Sequence, residues 1–159
     1  MKLYKFLLFS AVILWSLPSF AEDCLVKTDL RPLMTGVTDL QEEKTNVADG
    51  RYTAVLKNGD VIMAQFATCD LGMQASYMSV KALDNAALMQ RLEMFITRVL
   101  PSDAVVTKVL PQLKALKPAA LQKPVILQGL NDQHQVVVKS AASPNFNTII
   151  QYNWIAPEY

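Results

Sequence analysis

Few residues in this chain have the types and spacing that chemistry needs. There is one histidine, His134, beside a run that reads as a hairpin. No cysteine, serine or second histidine stands at ligand or relay spacing from it, so it reads as a surface or hydrogen-bonded structural residue. Ser76, Ser79 and Ser102 lie in no nucleophile-elbow pattern. The five glycines mark turns, and none builds a phosphate-cradling loop. Glu42-Glu43, and Asp60 with Asp70, are paired carboxylates in predicted turns and loops, where solvation is sufficient reason for them. A small enzyme working through carboxylates or His134 is therefore the alternative reading. Met63, Met73 and Met78 fall in one stretch, and thioethers suit Cu(I). The expected register puts Met63 and Met73 on one face and Met78 on the other. A copper-binding role is thus a further alternative, and flexible core filler is the leading account of these methionines. No catalytic residue, metal or cofactor is assigned.

The chain begins with Lys2 and Lys5, an apolar run from Phe6 to Leu17, a break at Pro18, and small residues up to Ala21. That is the layout of a secretory signal peptide cut after Ala21, too short for a comfortable membrane span. The expected product is residues 22–159, a single domain, periplasmic or secreted, with no stable membrane insertion. Losing Lys2 and Lys5 takes the 15 basic residues to 13 against 14 acidic ones, a net charge of −1. A near-neutral chain has no electrostatic footprint for nucleic acid. Both cysteines, Cys24 and Cys69, survive processing. An even pair in an exported chain reads as a disulfide. By the chain-entropy argument so long a loop is worth about 4 kcal/mol.

The elements that must position these residues centre on Arg51 to Val80, which reads as a three-stranded antiparallel meander. Asn58-Gly59 fits a two-residue type I′ turn. That loop would place Lys57 opposite Asp60, Leu56 opposite Val61, Ala54 opposite Met63 and Tyr52 opposite Gln65. A three-residue loop at Asp70-Leu71-Gly72 would set Cys69 against Met73 and Ala67 against Ala75. One face would then carry Val55, Ile62, Ala64, Phe66, Met78 and Val80. The other would carry Tyr52, Leu56, Met63, Cys69, Met73 and Tyr77. Neither is polar, so both are expected to be covered, at least in part.

A short strand is plausible from Cys24 to Thr28, and Asp29 to Gly50 reads as an irregular loop or short helix. Beyond the meander, Asp84 can cap a helix with Leu88, Leu92, Phe95, Ile96 and Val99 at helical spacing. Pro101 stops it, Ser102 can cap a second, and Pro111 should break or kink that one. Lys108, Lys114, Lys117 and Lys123 make this stretch basic and read as a solvated face. Val125-Ile126-Leu127 and Val136-Val137-Val138 flank a turn at 129–132, and 148–154 alternates as a final strand. The fold class is α+β: an antiparallel sheet, made of an N-terminal three-stranded meander plus a C-terminal hairpin and strand, with one or two helices inserted between and packed on one face.

With little site chemistry in view, the leading expectation is a small exported non-enzymatic binding protein, such as an inhibitor, immunity or accessory factor, whose partner is another exported protein. Tyr52, Tyr77, Tyr152 and Trp154 are the expected interaction residues, because aromatic side chains supply large contact area at interfaces. Intact mass under non-reducing conditions is expected to show a chain starting at Glu22, lighter by two hydrogen atoms than its reduced form. Two free thiols in exported material would rule the Cys24–Cys69 bridge out.

Overall fold

The structure, a computed structural model, describes residues 32–67, 72–100 and 102–155. The leader, Cys24, Cys69 and the segment 24–28 lie outside the described residues. The fold is α+β. Seven strands form one antiparallel sheet: β1 Leu40–Asn46, β2 Arg51–Leu56, β3 Val61–Ala67, β4 Gly72–Ser79, β5 Val125–Gln128, β6 Gln133–Ser143 and β7 Phe146–Ile155. Their order is β1-β2-β3-β4-β7-β6-β5, so the C-terminal hairpin joins the meander through a β4–β7 pair. Between β4 and β5 come helices α1 (Asn85–Val99) and α2 (Asp103–Lys114) and a 3-10 turn at Pro118–Gln122. Among the described residues no helix is long and apolar enough to cross a membrane.

The first hairpin differs from expectation by one residue. Leu56 N donates to Asp60 O and Gly59 N to Leu56 O, both at 2.9 Å. The loop is therefore the three residues Lys57-Asn58-Gly59, with Gly59 at φ +86 in the left-handed position that such loops require. Tyr52 pairs with Ala64, and Ala54 with Ile62. A one-residue slip moves a whole strand to the other face. Ile62 and Ala64 accordingly join Tyr52, Ala54 and Leu56 inside, while Met63 turns outward, 40% exposed. The next loop is also longer than expected, for Ala64 pairs with Ala75 and Phe66 with Met73. The sheet therefore has one largely buried face and one open face, rather than two faces both covered by other elements.

Asp60 is the reason for the shift. It was expected beside the turn, facing Lys57, yet it is 1% exposed. Its carboxylate accepts hydrogen bonds from the Tyr77 hydroxyl, from Val80 N at 3.1 Å and from Asn58 Nδ2 at 2.8 Å. Lys57 instead points its ammonium at Thr38 O, 3.1 Å away. A buried carboxylate is tolerable only when its lone pairs are filled, and only the three-residue loop delivers Asp60 to these donors.

A strand also appears where an irregular segment was expected. β1 is polar because it is an edge strand, and Glu42, Lys44 and Thr45 occupy positions that a central strand would fill with apolar residues. Register shifts between Leu40 and Glu42, and a bulge with charge beside it blunts an exposed edge. The opposite edge, β5, begins after Pro124 and is covered at its far end by Gln112 of α2. That amide donates to Gln128 O at 2.8 Å and accepts from Gln128 N at 3.0 Å, standing in for a neighbouring strand.

The helices follow their caps. Asp84 accepts from Ala87 N at 2.8 Å and Ser102 from Val105 N at 3.4 Å. Pro111 was expected to break or kink α2; the helix is not broken and runs through it to Lys114, with the bond to the carbonyl four residues earlier lost. Both helices bury their apolar stripes against the inner sheet face. On that face runs a row Tyr52, Ala64, Ala75, Tyr152 and Val136 across five strands, with two alanines between the tyrosines. Tyr77 meets Phe95 of α1 with ring centroids 6.1 Å apart.

Removing the Asp60 carboxylate leaves a buried phenol and a backbone N–H without their acceptor. Asp60→Ala is expected to cost on the order of 3 kcal/mol in denaturant unfolding, and Tyr77→Phe clearly less. A loss under about 1 kcal/mol for Asp60→Ala would show that this carboxylate does not set the register.

Candidate functional site

The most concentrated polar chemistry lies at the end of the β5–β6 hairpin. Gly129 N donates to Asp132 O at 3.0 Å, closing the turn, and Leu130 N donates to Asp132 Oδ1 at 3.1 Å. The other carboxylate oxygen accepts from Trp154 Nε1 at 2.6 Å. Asp132 folds so tightly over Gly129 that a Cβ there would sit 1.8 Å from Oδ1 and 2.6 Å from His134 Nε2. Any side chain at 129 would displace the carboxylate.

His134 faces inward from β6, paired with Leu127 on one side and Trp154 on the other. It is fully buried. Its Nδ1 lies 2.8 Å from the Tyr152 hydroxyl, and the two rings are nearly parallel at 13°. Its Nε2 lies 3.2 Å from Asp132 Oδ2, an ion-pair distance, yet the direction is wrong for a hydrogen bond. The carboxylate can only accept, so the proton belongs on Nε2 and the Tyr152 hydroxyl donates to Nδ1. Burial holds the imidazole below its ordinary value of 6.5, and the opposing pull of Asp132 does not restore it. Burial, and then the Asp132 charge, push the Tyr152 phenol upward.

A phenol, an imidazole and a carboxylate in series could in principle relay a proton. Here the two central groups, Tyr152 and His134, have no exposed surface. No residue of this cluster lines the groove described below. The arrangement locks a turn to the sheet and offers no place for a reacting atom.

The other expected interaction residues are placed apart. The Tyr52 hydroxyl donates to Glu43 Oε2 at 2.7 Å and accepts from Met34 N at 3.1 Å. Tyr77 is held by Asp60. Tyr52, Tyr77 and Tyr152 are each 0% exposed, so they supply core and internal hydrogen bonds, and the expectation that they form a contact surface is corrected. Burial raises all three phenols above their ordinary value of 10, so they remain protonated donors. Trp154 is half-buried, with its ring nitrogen committed to Asp132. Met73 points into the core while Met63 and Met78 lie on the open face, so the expected Met63–Met73 pairing is corrected and the three methionines do not converge.

Two accessible features remain. One is a groove of about 870 Å³ between the start of α1, the 3-10 turn and the β6–β7 pair. Leu83, Leu88, Pro118 and Val138 give it an apolar floor, and Lys117, Lys139, Asn85, Gln122 and Ser140 are its polar lining. The other is the open face of the sheet. Its central positions are Thr53, Val55, Val61, Met63, Gln65, Gln74, Ser76, Met78, Gln135, Ile149, Gln151 and Asn153, with Val137 buried among them. None carries a charge. Arg51, Glu42, Lys44 and Lys139 stand around them.

Sequence reasoning missed both features. The period-2 alternation of β6 placed His134 inside with Val136 and Val138, and that signal was available. The groove draws on residues from Leu83 to Thr148 and has no local signature. No family model, curated protein or solved structure matches the chain.

His134 gives a signed pH dependence. Below about pH 6.5 the unfolded chain takes up a proton that the folded chain resists. Stability is therefore full above that value and falls as pH drops toward the depressed folded value. His134→Gln is expected to flatten the slope of unfolding free energy between about pH 8 and 5, whatever its level. An unchanged slope would assign the acid sensitivity to other groups.

Proposed function

We propose that this is a small exported binding protein, a non-enzymatic factor of the inhibitor, immunity or accessory kind, that recognises another exported protein through the open face of its sheet. Export rests on the leader of residues 1–21, cut after Ala21, which places the mature chain in the periplasm or outside the cell. The observation that carries the reading is the charge-free centre of the open face. Depletion of charged side chains, with methionine enriched, is part of the composition that distinguishes the core of a protein interface from ordinary surface. Val55, Val61, Met78 and Ile149 form an apolar band; Thr53, Met63, Ser76 and Gln151 form the row beside it, and Gln65, Gln74, Asn153 and Gln135 form the row beyond. Catalysis is disfavoured because the one histidine is sealed inside and Asp60 and Asp132 are spent on internal donors.

Met63→Arg and Gln74→Arg place a charge at the centre of this face on exposed positions. Each is expected to weaken a stoichiometric complex with an exported partner at least about tenfold, while changing folding stability by no more than about 0.5 kcal/mol. Turnover of an ester, phosphate or glycoside by the purified protein, abolished in His134→Gln, would overturn the reading.

A further inference from the structure

The open face of the sheet is ordered as well as neutral at its centre. The register aligns its residues in rows across six strands, in the order β1-β2-β3-β4-β7-β6. One outer row is apolar between charged ends: Glu42, Val55, Val61, Met78, Ile149 and Lys139. Both ends are exposed. Glu42 meets Lys44 of its own strand at 2.6 Å, and Lys139 makes no ion pair among the described residues. The other outer row runs through Arg51, Gln65, Gln74, Asn153 and Gln135. Its amides both donate and accept, as where Asn153 Nδ2 donates to Gln135 Oε1 at 3.0 Å.

Rotated by half a turn about an axis along the strands, between β3 and β4, this pattern meets itself. Each row falls on its own copy in reverse order. Glu42 lies over Lys139 of the second copy, Val55 over Ile149, Val61 over Met78, and Gln65 over Gln74. Like-twisted sheets can stack face to face with their strands nearly aligned. Turned instead about an axis across the strands, the apolar row either meets itself, with Glu42 on Glu42 and Lys139 on Lys139, or falls on a row of amides and hydroxyls. The end charges therefore select the axis along the strands. We propose that the open face is self-complementary and that the free protein forms a two-fold dimer, face on face, about this axis. Six strands about 4.8 Å apart, with same-face residues about 6.8 Å apart, overlap over roughly 600 Å² on each copy. That is the low end of a specific interface, so a dissociation constant on the order of 10 µM is expected. The inference rests on the reading of this face as an interface and adds its regulation: a second copy covers the face until an exported partner displaces it.

Sedimentation velocity of the mature protein, from micromolar to millimolar concentration, is expected to show a reversible monomer–dimer equilibrium. Lys139→Glu turns an attraction into a repulsion at both ends of the dimer, because the two-fold repeats each contact. It is expected to weaken the dimer at least about tenfold and to melt normally, since the position is exposed. Adding Glu42→Lys restores opposite charges across the interface and is expected to return the dissociation constant to within about threefold of its original value. A monomer at millimolar concentration, a larger oligomer, a dimer indifferent to Lys139→Glu, or one that the second substitution fails to rescue would each overturn the proposal. So would a monomer in which nuclear Overhauser contacts place residues 22–31 of the same chain on Met63 and Ile149. A protein that stays monomeric while Met63→Arg still weakens a complex with an exported partner fails this inference alone. A dimer with the expected charge dependence that forms no such complex fails the functional reading alone.

Discussion

Burying a tyrosine on the inner face of a sheet obliges the chain to bring a hydrogen-bonding partner to the same depth. This protein does so three times, with Tyr52, Tyr77 and Tyr152 all fully buried. Each hydroxyl ties the interior to a part of the chain that would otherwise be free to shift. Tyr52 with Glu43 and Met34 N fastens the segment before β1 and the edge strand itself. Tyr77 with Asp60 fixes the β2–β3 loop against the end of β4. Tyr152 with His134, beside Asp132 and Trp154, fixes the β5–β6 turn against β7. A made hydrogen bond contributes only about 1 kcal/mol net, whereas an orphaned buried group costs more than that. The pins therefore act mainly by making every other register expensive.

That asymmetry explains what was legible in the sequence. The helix caps at Asp84 and Ser102 and the stripe through Leu92 and Phe95 are local signals, and they lead to α1 and to the start of α2, whose run through Pro111 they do not foretell. The alternation in 148–154 likewise survives as β7. Asn58-Gly59 was misread because two loop types accept the same pair of residues. The type I′ turn needs positive φ at both, and in the structure only glycines adopt it among the described residues. The decision between the loops was taken by a carboxylate and a phenol 17 residues apart, which no window of sequence contains. β1 was missed for a related reason. An edge strand facing solvent has no apolar alternation to detect, and its membership of the sheet comes from β2.

The same tyrosines changed where function can reside. Aromatic side chains late in a chain suggest an interface when burial is unknown. Once Tyr52, Tyr77 and Tyr152 are inside, the inner face is closed and chemically satisfied, with His134 Nε2 the buried side-chain polar atom left without a hydrogen bond among the described residues. A cluster in which the imidazole is shielded by its own neighbours has the composition of an active site without its access. What is accessible is a sheet face neutral at its centre and a groove beside α1, and neither is visible as a motif, since each gathers residues from strands and turns far apart in sequence.

The edges of the sheet narrow the mode of recognition further. A sheet protein that binds an extended peptide commonly adds it as another strand, which needs an edge with free N–H and C=O groups. β1 offers a bulge and alternating Glu42 and Lys44. β5 is short, starts behind a proline, and has Gln128 occupied in both directions by the Gln112 amide. Both edges are guarded in the ways that prevent pairing with another chain. On the proposed reading, a partner would be met by side chains and not by main-chain pairing. That favours a flat contact on the charge-free face over strand addition.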